Sequence, residues 1–430
     1  MNKTINTLAA LAAAFLIFLA GSASSFFDSF PGRLFHDAFR GAEALFIQQT
    51  SYKDPFSTNL WHPKSHNFSG IGRFNPDHSQ TGYTLYTSGN FQGAKLIDMT
   101  GKVIHQWELP FYEAWPNPQH LDFRPDNEFI AWRKASLLPN GEIIALYIAE
   151  GITPWGMGVV KLDKDSNLIW QYSGKAHHDI DIDDNGNIYL LTHELIKEAY
   201  TGLARIKPPY LDDRVVVLDN LGNQILDIGI LDSFVDSPYA SFLLNIPRSS
   251  NGDYLHANAI DVVSPDLADN HPYAKTGDIL VSMRQPAIIA LIDPESKKVR
   301  WARRGSWIGQ HDPDFLPNGN MLIFDNRGRM LSGGFSRVQE FNPLTSELVW
   351  EYHGKAVDPF FSGLRSSQQR LPNGNTLITE SDRARLLEVT VNNTVVWEYV
   401  NPESGGPDNN FRPVLMWGQR YLEKDLKFLN

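Results

Sequence analysis

Two histidines hold matching places in a repeated phrase. His311 stands near the head of Gln310-His311-Asp312-Pro313-Asp314-Phe315-Leu316-Pro317-Asn318-Gly319-Asn320, and His178 heads His178-Asp179-Ile180-Asp181-Ile182-Asp183-Asp184-Asn185-Gly186-Asn187. Each lies seven residues before the Asn of an Asn-Gly turn that leads into an apolar strand. The same count in the other copies of the turn falls on Arg133, Leu244 and Ser366. Imidazole titrates near neutral pH, so a histidine can serve as a nucleophile or as a general base. Repeats related by rotation bring matching places together, which makes His178 and His311 candidates for one pocket.

The copy that counts to Leu244 carries its polar residues later, in Leu255-His256-Ala257-Asn258. On a regular strand the period of two puts His256 and Asn258 on one face. Arg284 follows in the next apolar strand, Val281-Ser282-Met283-Arg284. Three histidines, an amide and a guanidinium make an anion cradle: Arg offers forked donors, and His can donate or accept. Transfer of a sulfuryl or phosphoryl group needs such parts, namely a nucleophile, donors for the non-bridging oxygens and an acid for the leaving oxygen. No carboxylate pair accompanies the set, which argues against glycoside hydrolysis. Taken singly, each residue has a structural reading: His178 or His311 as a blade-to-blade bond, Arg284 paired with Asp278 or Asp293, Asn258 in a turn or bulge. His177 should point away from His178 on a strand and reads as structural. His120 and His193 read as core or surface residues. It is the coincidence of the five that favours chemistry.

The elements that must position these residues repeat. From about residue 93 an apolar run with an Asp or Asn, a turn and a strand ending in an aromatic recurs six times. It runs from Lys95 to Trp107, Val160 to Trp170, Leu291 to Trp301, Phe341 to Trp350 and Val389 to Trp397, with a weaker copy at Val217. Asn-Gly turns interleave at 140–141, 185–186, 251–252, 318–319 and 373–374, the strongest short hairpin signal because both residues tolerate positive φ. Strand–turn–strand units of this spacing fit four-stranded propeller blades. The expectation is an all-β, six-bladed β-propeller over 93–430, with Asn410 to Trp417 supplying the closing strand. Residues 25–92 would form a short lead-in or cap. The one helical candidate in the repeats is Glu194 to Ala204.

Lys3, the apolar run Leu8 to Ala20 and Gly21-Ser22-Ala23-Ser24 have the layout of an export signal over residues 1–24. The expected location is therefore periplasmic or otherwise exported. An uncleaved membrane anchor and a buried helix are the rival readings. The absence of Cys excludes disulfides, thiolate metal sites and Cys nucleophiles. A formal charge of −11 argues against a nucleic-acid partner, while a local Arg/His pocket can still take a small anion. No metal and no cofactor is read from the sequence. Ser29-Phe30-Pro31-Gly32-Arg33 fits a loose sulfatase pattern but lacks the metal-ligand acids, and reads as chance.

Three motifs in one order, Leu255 to Ile260, Ile279 to Arg284 and Gln310 to Asn326, resemble the bacterial aryl sulfotransferase family. That resemblance implies a six-bladed propeller moving sulfate from one phenol ester to another without a nucleotide donor. It implies His311 as a nucleophile that forms a transient sulfohistidine. By the same likeness, His256, Asn258 and Arg284 hold the sulfuryl oxygens and assist the leaving phenol, and His178 is the remaining channel histidine. The implied partners are a small aryl sulfate donor and a phenolic acceptor. The chain departs from well-known members in having no Cys and only a short region before the blades, which leaves a homo-oligomer and the acceptor open. The competing readings are a ligand- or protein-binding propeller and a quinone-cofactor dehydrogenase, the latter suggested by Asp98 to Trp107 but short of its eight blades and calcium-binding acids.

Overall fold

A computed structural model describes residues 2–26, 29–30, 32, 54–152, 155–247, 249, 251–326 and 334–429. Pro31 and Arg33 of the Ser29–Arg33 run lie outside them. The chain divides into two units, Met1–Thr58 and Asn59–Asn430. In the first, Asn2–Phe26 is an α-helix. Among the described residues no helix is long and apolar enough to cross a membrane.

In the second unit six antiparallel sheets succeed one another, and in blades 2 to 5 the strands run in chain order from inside out. Blade 2 is Ile130–Leu137, Ile143–Ala149, Gly156–Leu162 and Leu168–Tyr172; blade 3 runs from Ala176–Ile182 to Gln224–Gly229. Blade 4 runs from Ala257–Val262 to Lys298–Arg304, blade 5 from His311–Phe315 to Leu348–Tyr352, and blade 6 from Ser367–Arg370 to Val395–Val400. Blade 1 mixes the two ends of the unit: Leu415–Tyr421 is the inner strand for Tyr83–Ser88, Gly93–Ile97 and Val103–Glu108. The innermost strands touch in ring order and return to the start. The protein is a closed six-bladed β-propeller, closed by Leu415–Tyr421; this overlaps the expected Asn410 to Trp417 only in its last residues, because Phe411–Pro413 pairs with Trp61–Pro63 instead.

An apolar layer fills each junction between blades. Leu146 and Val159 of blade 2 pack on Leu190 and Val216 of blade 3; Leu322 and Phe324 of blade 5 pack on Ile378 and Leu387 of blade 6. Both faces of a middle strand are thereby covered, which is why strands such as Met321–Asp325 are buried at every position instead of alternating. The recurrent Trp latches neighbouring blades. Trp107 Nε1–H donates to Gly141 O (3.0 Å), Trp170 to Asn220 O (3.1 Å), Trp350 to Val391 O (3.1 Å) and Trp397 to Met99 O (2.9 Å), each acceptor lying in a turn of the next blade.

Four further sequence expectations change. The blades take in Tyr83–Ser88, ahead of residue 93, and Gly70–Phe74 adds a fifth, outer strand to blade 6. Glu194 to Ala204 is not helical: Glu194–Ile196 continue a long strand that pairs with Tyr210–Asp212, because that partner strand is equally long. In the Asn-Gly turns only glycine takes positive φ, as at Gly319 (+86°) and Gly374 (+87°). Gly319 N–H bonds Leu316 O and Leu316 N–H bonds Asn320 O, a type I turn followed by a left-handed glycine. Finally, Asn251-Gly252 precedes the inner strand of blade 4 instead of following it, so Leu244 falls on an exposed short helix, Ala240–Asn245, away from the channel.

Candidate active site

Inner strands of a regular pleat would send alternate side chains to opposite faces. Here blades 1 to 5 carry a bulge in the inner strand, as between Trp132 and Lys134, His177 and Ile180, Ala257 and Ala259, and His311 and Asp314. A bulge leaves a residue unpaired and re-aims it. Arg133 and Asn258 are those residues in blades 2 and 4; His178 (φ +62°) and Asp312 (φ +54°) mark the bulges of blades 3 and 5. The period-two argument for His256 and Asn258 therefore fails: Asn258 sits in the bulge, and His256 lies before the strand with φ +52°.

The bulges converge on a cavity of about 10 Å³ to which all six inner strands contribute. Arg133, His178, Asn258, His311 and Ser366 line it, with Trp417 from the closing strand. Four of these are positions reached by counting back from the Asn-Gly turns. His256 stands beside it, its ring 4.9 Å from that of His178 and 5.2 Å from Trp155. Arg284 follows the second strand of blade 4, where its backbone N–H donates to His256 O (3.1 Å). Its guanidinium lies against Gly309, where an added Cβ would stand 3.4 Å from Arg284 Nε.

The hydrogen bonds set the state of each imidazole. His311 Nδ1 lies 2.7 Å from Asn326 Oδ1 and 2.9 Å from Gly309 O, two acceptors, so Nδ1 carries the proton and Nε2 keeps its lone pair. Burial, then the guanidinium charges of Arg284 and Arg133, holds the His311 pKa well below the ordinary value, so the ring is neutral at pH 7. His178 Nδ1 receives Trp155 Nε1–H (3.4 Å) and lies 2.8 Å from His177 Nδ1. Trp can only donate, so His178 accepts at Nδ1 and bears its proton on Nε2. His256 Nδ1 pairs with Asp253 Oδ2 at 2.5 Å. Asn258 Nδ2 donates to Gln310 O (2.6 Å), tying blade 4 to the peptide next to His311. Arg133 is lowered to about 10 by burial and by Arg365, and stays cationic. Behind it burial opposes the charge of Lys134, yet Asp179 and Asp312 raise its pKa; its Nζ is 2.5 Å from Asp179 Oδ1.

All five residues singled out from sequence thus gather around one place. Asn326, Asp253 and Trp155 were missed as working parts. Asn326 has a faint signal, closing the strand that follows the His311 turn; Asp253 follows Asn251-Gly252 directly; Trp155 has none. His177, expected to face away from His178, turns its ring to 4.9 Å from it because the bulge breaks the alternation.

A closed ring of six blades whose inner strands converge on a histidine-rich pocket, where Arg133 and Lys134 face Asp179 and Asp312, defines a β-propeller with a candidate active site at its centre. The chain belongs to the Arylsulfotransferase (ASST) family, whose sequence profile matches residues 134–402, more than half of its length. Family membership marks the protein as a sulfotransferase in the general sense. No curated relative matches the sequence. Among solved structures, a protein of unknown function from Bacteroides caccae aligns at 14% identity over 74% of this chain and 94% of that one, with a TM-score of 0.48. Streptogramin B lyase aligns at 15% over 83% and 94% (TM-score 0.42), and the WD40 propeller domain of Doa1 at 10% over 81% and 97% (TM-score 0.42). Likeness at this level carries no functional argument.

Proposed function

We propose that the protein moves a sulfuryl group from an aryl sulfate ester to a phenolic acceptor through a covalent intermediate on His311. The observation that carries this reading is the fixed tautomer of His311: a neutral, buried imidazole with its Nε2 lone pair available beside two guanidinium groups. Nε2 attacks sulfur, the bond from sulfur to the aryl oxygen breaks, and the phenol oxygen departs with the electron pair. Arg284 and Arg133 stabilise charge on the non-bridging oxygens, and the Nε2–H of His178 adds a neutral donor. His256, whose Nδ1 is paired with Asp253 Oδ2, is the imidazole suited to carry a proton to the leaving oxygen. An acceptor phenol then gives that proton back to His256 and attacks sulfur, restoring His311. Donor phenol leaves before acceptor binds, so the kinetics are ping-pong. The cavity is about the size of one water, so binding a donor requires side chains at the mouth to shift.

The test is an aryl sulfate that releases a coloured phenol, supplied with and without a phenol acceptor. Acceptor-dependent release in the wild-type protein, falling at least 1,000-fold (about 4 kcal/mol) in His311→Asn, is the expected result. Equal release in that variant would remove His311 from the role of nucleophile.

A further inference from the structure

Behind the pocket, His177, His193 and Asp213 form a second, fully enclosed cluster that the transfer reaction does not use. We propose that these three side chains bind one divalent transition-metal ion, with zinc the best chemical fit. Their ligand atoms all lie within 4.8 Å of one another: His177 Nε2 is 3.6 Å and His193 Nδ1 is 3.9 Å from Asp213 Oδ1. Zinc bonds of about 2.0–2.1 Å in a tetrahedral array place ligand atoms roughly 3.3–3.5 Å apart, so each needs to move inward by well under 1 Å.

The hydrogen bonding makes an empty cluster costly. His177 directs its Nδ1–H to His178, which leaves Nε2 as a bare lone pair facing a carboxylate oxygen. Among the described residues His177 Nε2 and both nitrogens of His193 find no hydrogen-bond partner, though both side chains are at most 1% exposed. Asp213 Oδ2 is already occupied by Ala257 N–H (2.8 Å), which turns Oδ1 toward the two imidazoles. Asp213 and Asp253 are both buried, and a dication offsets buried carboxylate charge.

The ligand types select the ion. Two imidazoles and one carboxylate suit zinc and its neighbours, whereas calcium and magnesium call for oxygen donors. Three protein ligands leave a fourth position, and Trp155, its ring 4.9 Å from that of His193, helps to close the surroundings. An ion on His177 Nε2 fixes the proton on Nδ1 and so holds His178 in the tautomer that turns its N–H to the channel. The ion is thus a structural anchor for the pocket, and its presence does not depend on which group the pocket transfers.

The full-length protein is purified, stripped with chelator and titrated with Zn²⁺ and Co²⁺, with metal content measured by elemental analysis. One equivalent of zinc, and visible absorption bands from a tetrahedral N/O-ligated Co²⁺, are expected. His193→Ala and Asp213→Asn should each lose the ion while far-UV circular dichroism keeps its strand signature, and His120→Ala should retain it. Wild-type protein that binds less than stoichiometric Zn²⁺ and gives no Co²⁺ band overturns the proposal, whatever the variants do. So does stoichiometric binding kept in both variants, or calcium taken in place of zinc. Sulfuryl transfer enters none of these readouts, so a failure here is distinct from a failure of the transfer reaction.

Discussion

Asn326 Oδ1 lies 2.7 Å from His311 Nδ1, and the amide cannot turn away from it. Asn326 Nδ2 donates to Ser362 O (2.8 Å) and Arg365 O (3.1 Å), so the oxygen is committed to the imidazole. A residue just past a blade 5 strand, held in turn by the segment that leads into blade 6, therefore fixes which nitrogen of His311 keeps its lone pair. Asn326→Ala leaves Gly309 O (2.9 Å) as the remaining acceptor for the Nδ1 proton, so the tautomer and the ring's orientation are held less firmly. A hydrogen bond worth about 1–3 kcal/mol is lost, so kcat should fall roughly 10- to 100-fold with KM for the donor little changed. Asn326→Asp keeps the acceptor and adds a charge that favours imidazolium, so it should recover part of kcat while moving the acid limb of kcat/KM upward. An unaltered kcat in Asn326→Ala would show that the tautomer is set elsewhere.

The pH dependence follows from the sign of the His311 shift. Burial and the Arg284 and Arg133 charges lower its pKa, so protonation, which blocks Nε2, should begin only well below pH 6.5. The acid limb of kcat/KM for the donor, which reports the free enzyme, should then be absent near neutrality. Removing a cation makes protonation easier, so Arg284→Met should shift that limb upward, toward the ordinary histidine value, besides lowering the rate. A downward shift or none would mean that Arg284 does not act on His311.

Asp253 and His256 should matter according to the leaving group. Phenol itself, with a pKa of about 10, needs a proton more than a nitrophenol does. Asp253→Asn and His256→Gln should each slow transfer from phenyl sulfate by about 100- to 10,000-fold and from nitrophenyl sulfate far less. Equal losses on both donors would assign the pair to binding instead of proton transfer.

Gly374 isolates a backbone effect. Its φ is +87° and an added Cβ would meet nothing within 4 Å, so Gly374→Ala is strained by conformation alone. It should lower unfolding stability by about 1–2 kcal/mol, read from the urea midpoint at constant m. Gly374→Asn, which tolerates the left-handed region better, should lose less. The reverse order would mean that the turn does not depend on that φ.

Much of the site was legible because repetition converts sequence distance into geometry. The count back from the Asn-Gly turns reached Arg133, His178, His311 and Ser366, and all four line the cavity. It failed at Leu244, where the turn lies before the inner strand and the helix Pro265–Ala268 occupies the connection after it. A local pattern cannot report which strand of a blade a turn belongs to. Nor can it report a bulge, which adds one residue to one strand and shows only against its partner; Asn258 reached the site by that route, and His256 by a left-handed residue just before the strand.

What the sequence by itself determined is the blade: the alternation of apolar runs and turns, the latching Trp, the closing strand and the histidines at matching places. These are encoded in short spans, within reach of pleat period and turn chemistry. The tertiary structure alone decided the protonation of each imidazole. Asn326 stands just past the strand that pairs with that of His311, while Trp155 and Asp253 come from loops beside the site, and Asp213 meets His177 across 36 residues. A proton's place on a ring depends on which acceptor stands within 3 Å, and that is settled only when the blades close.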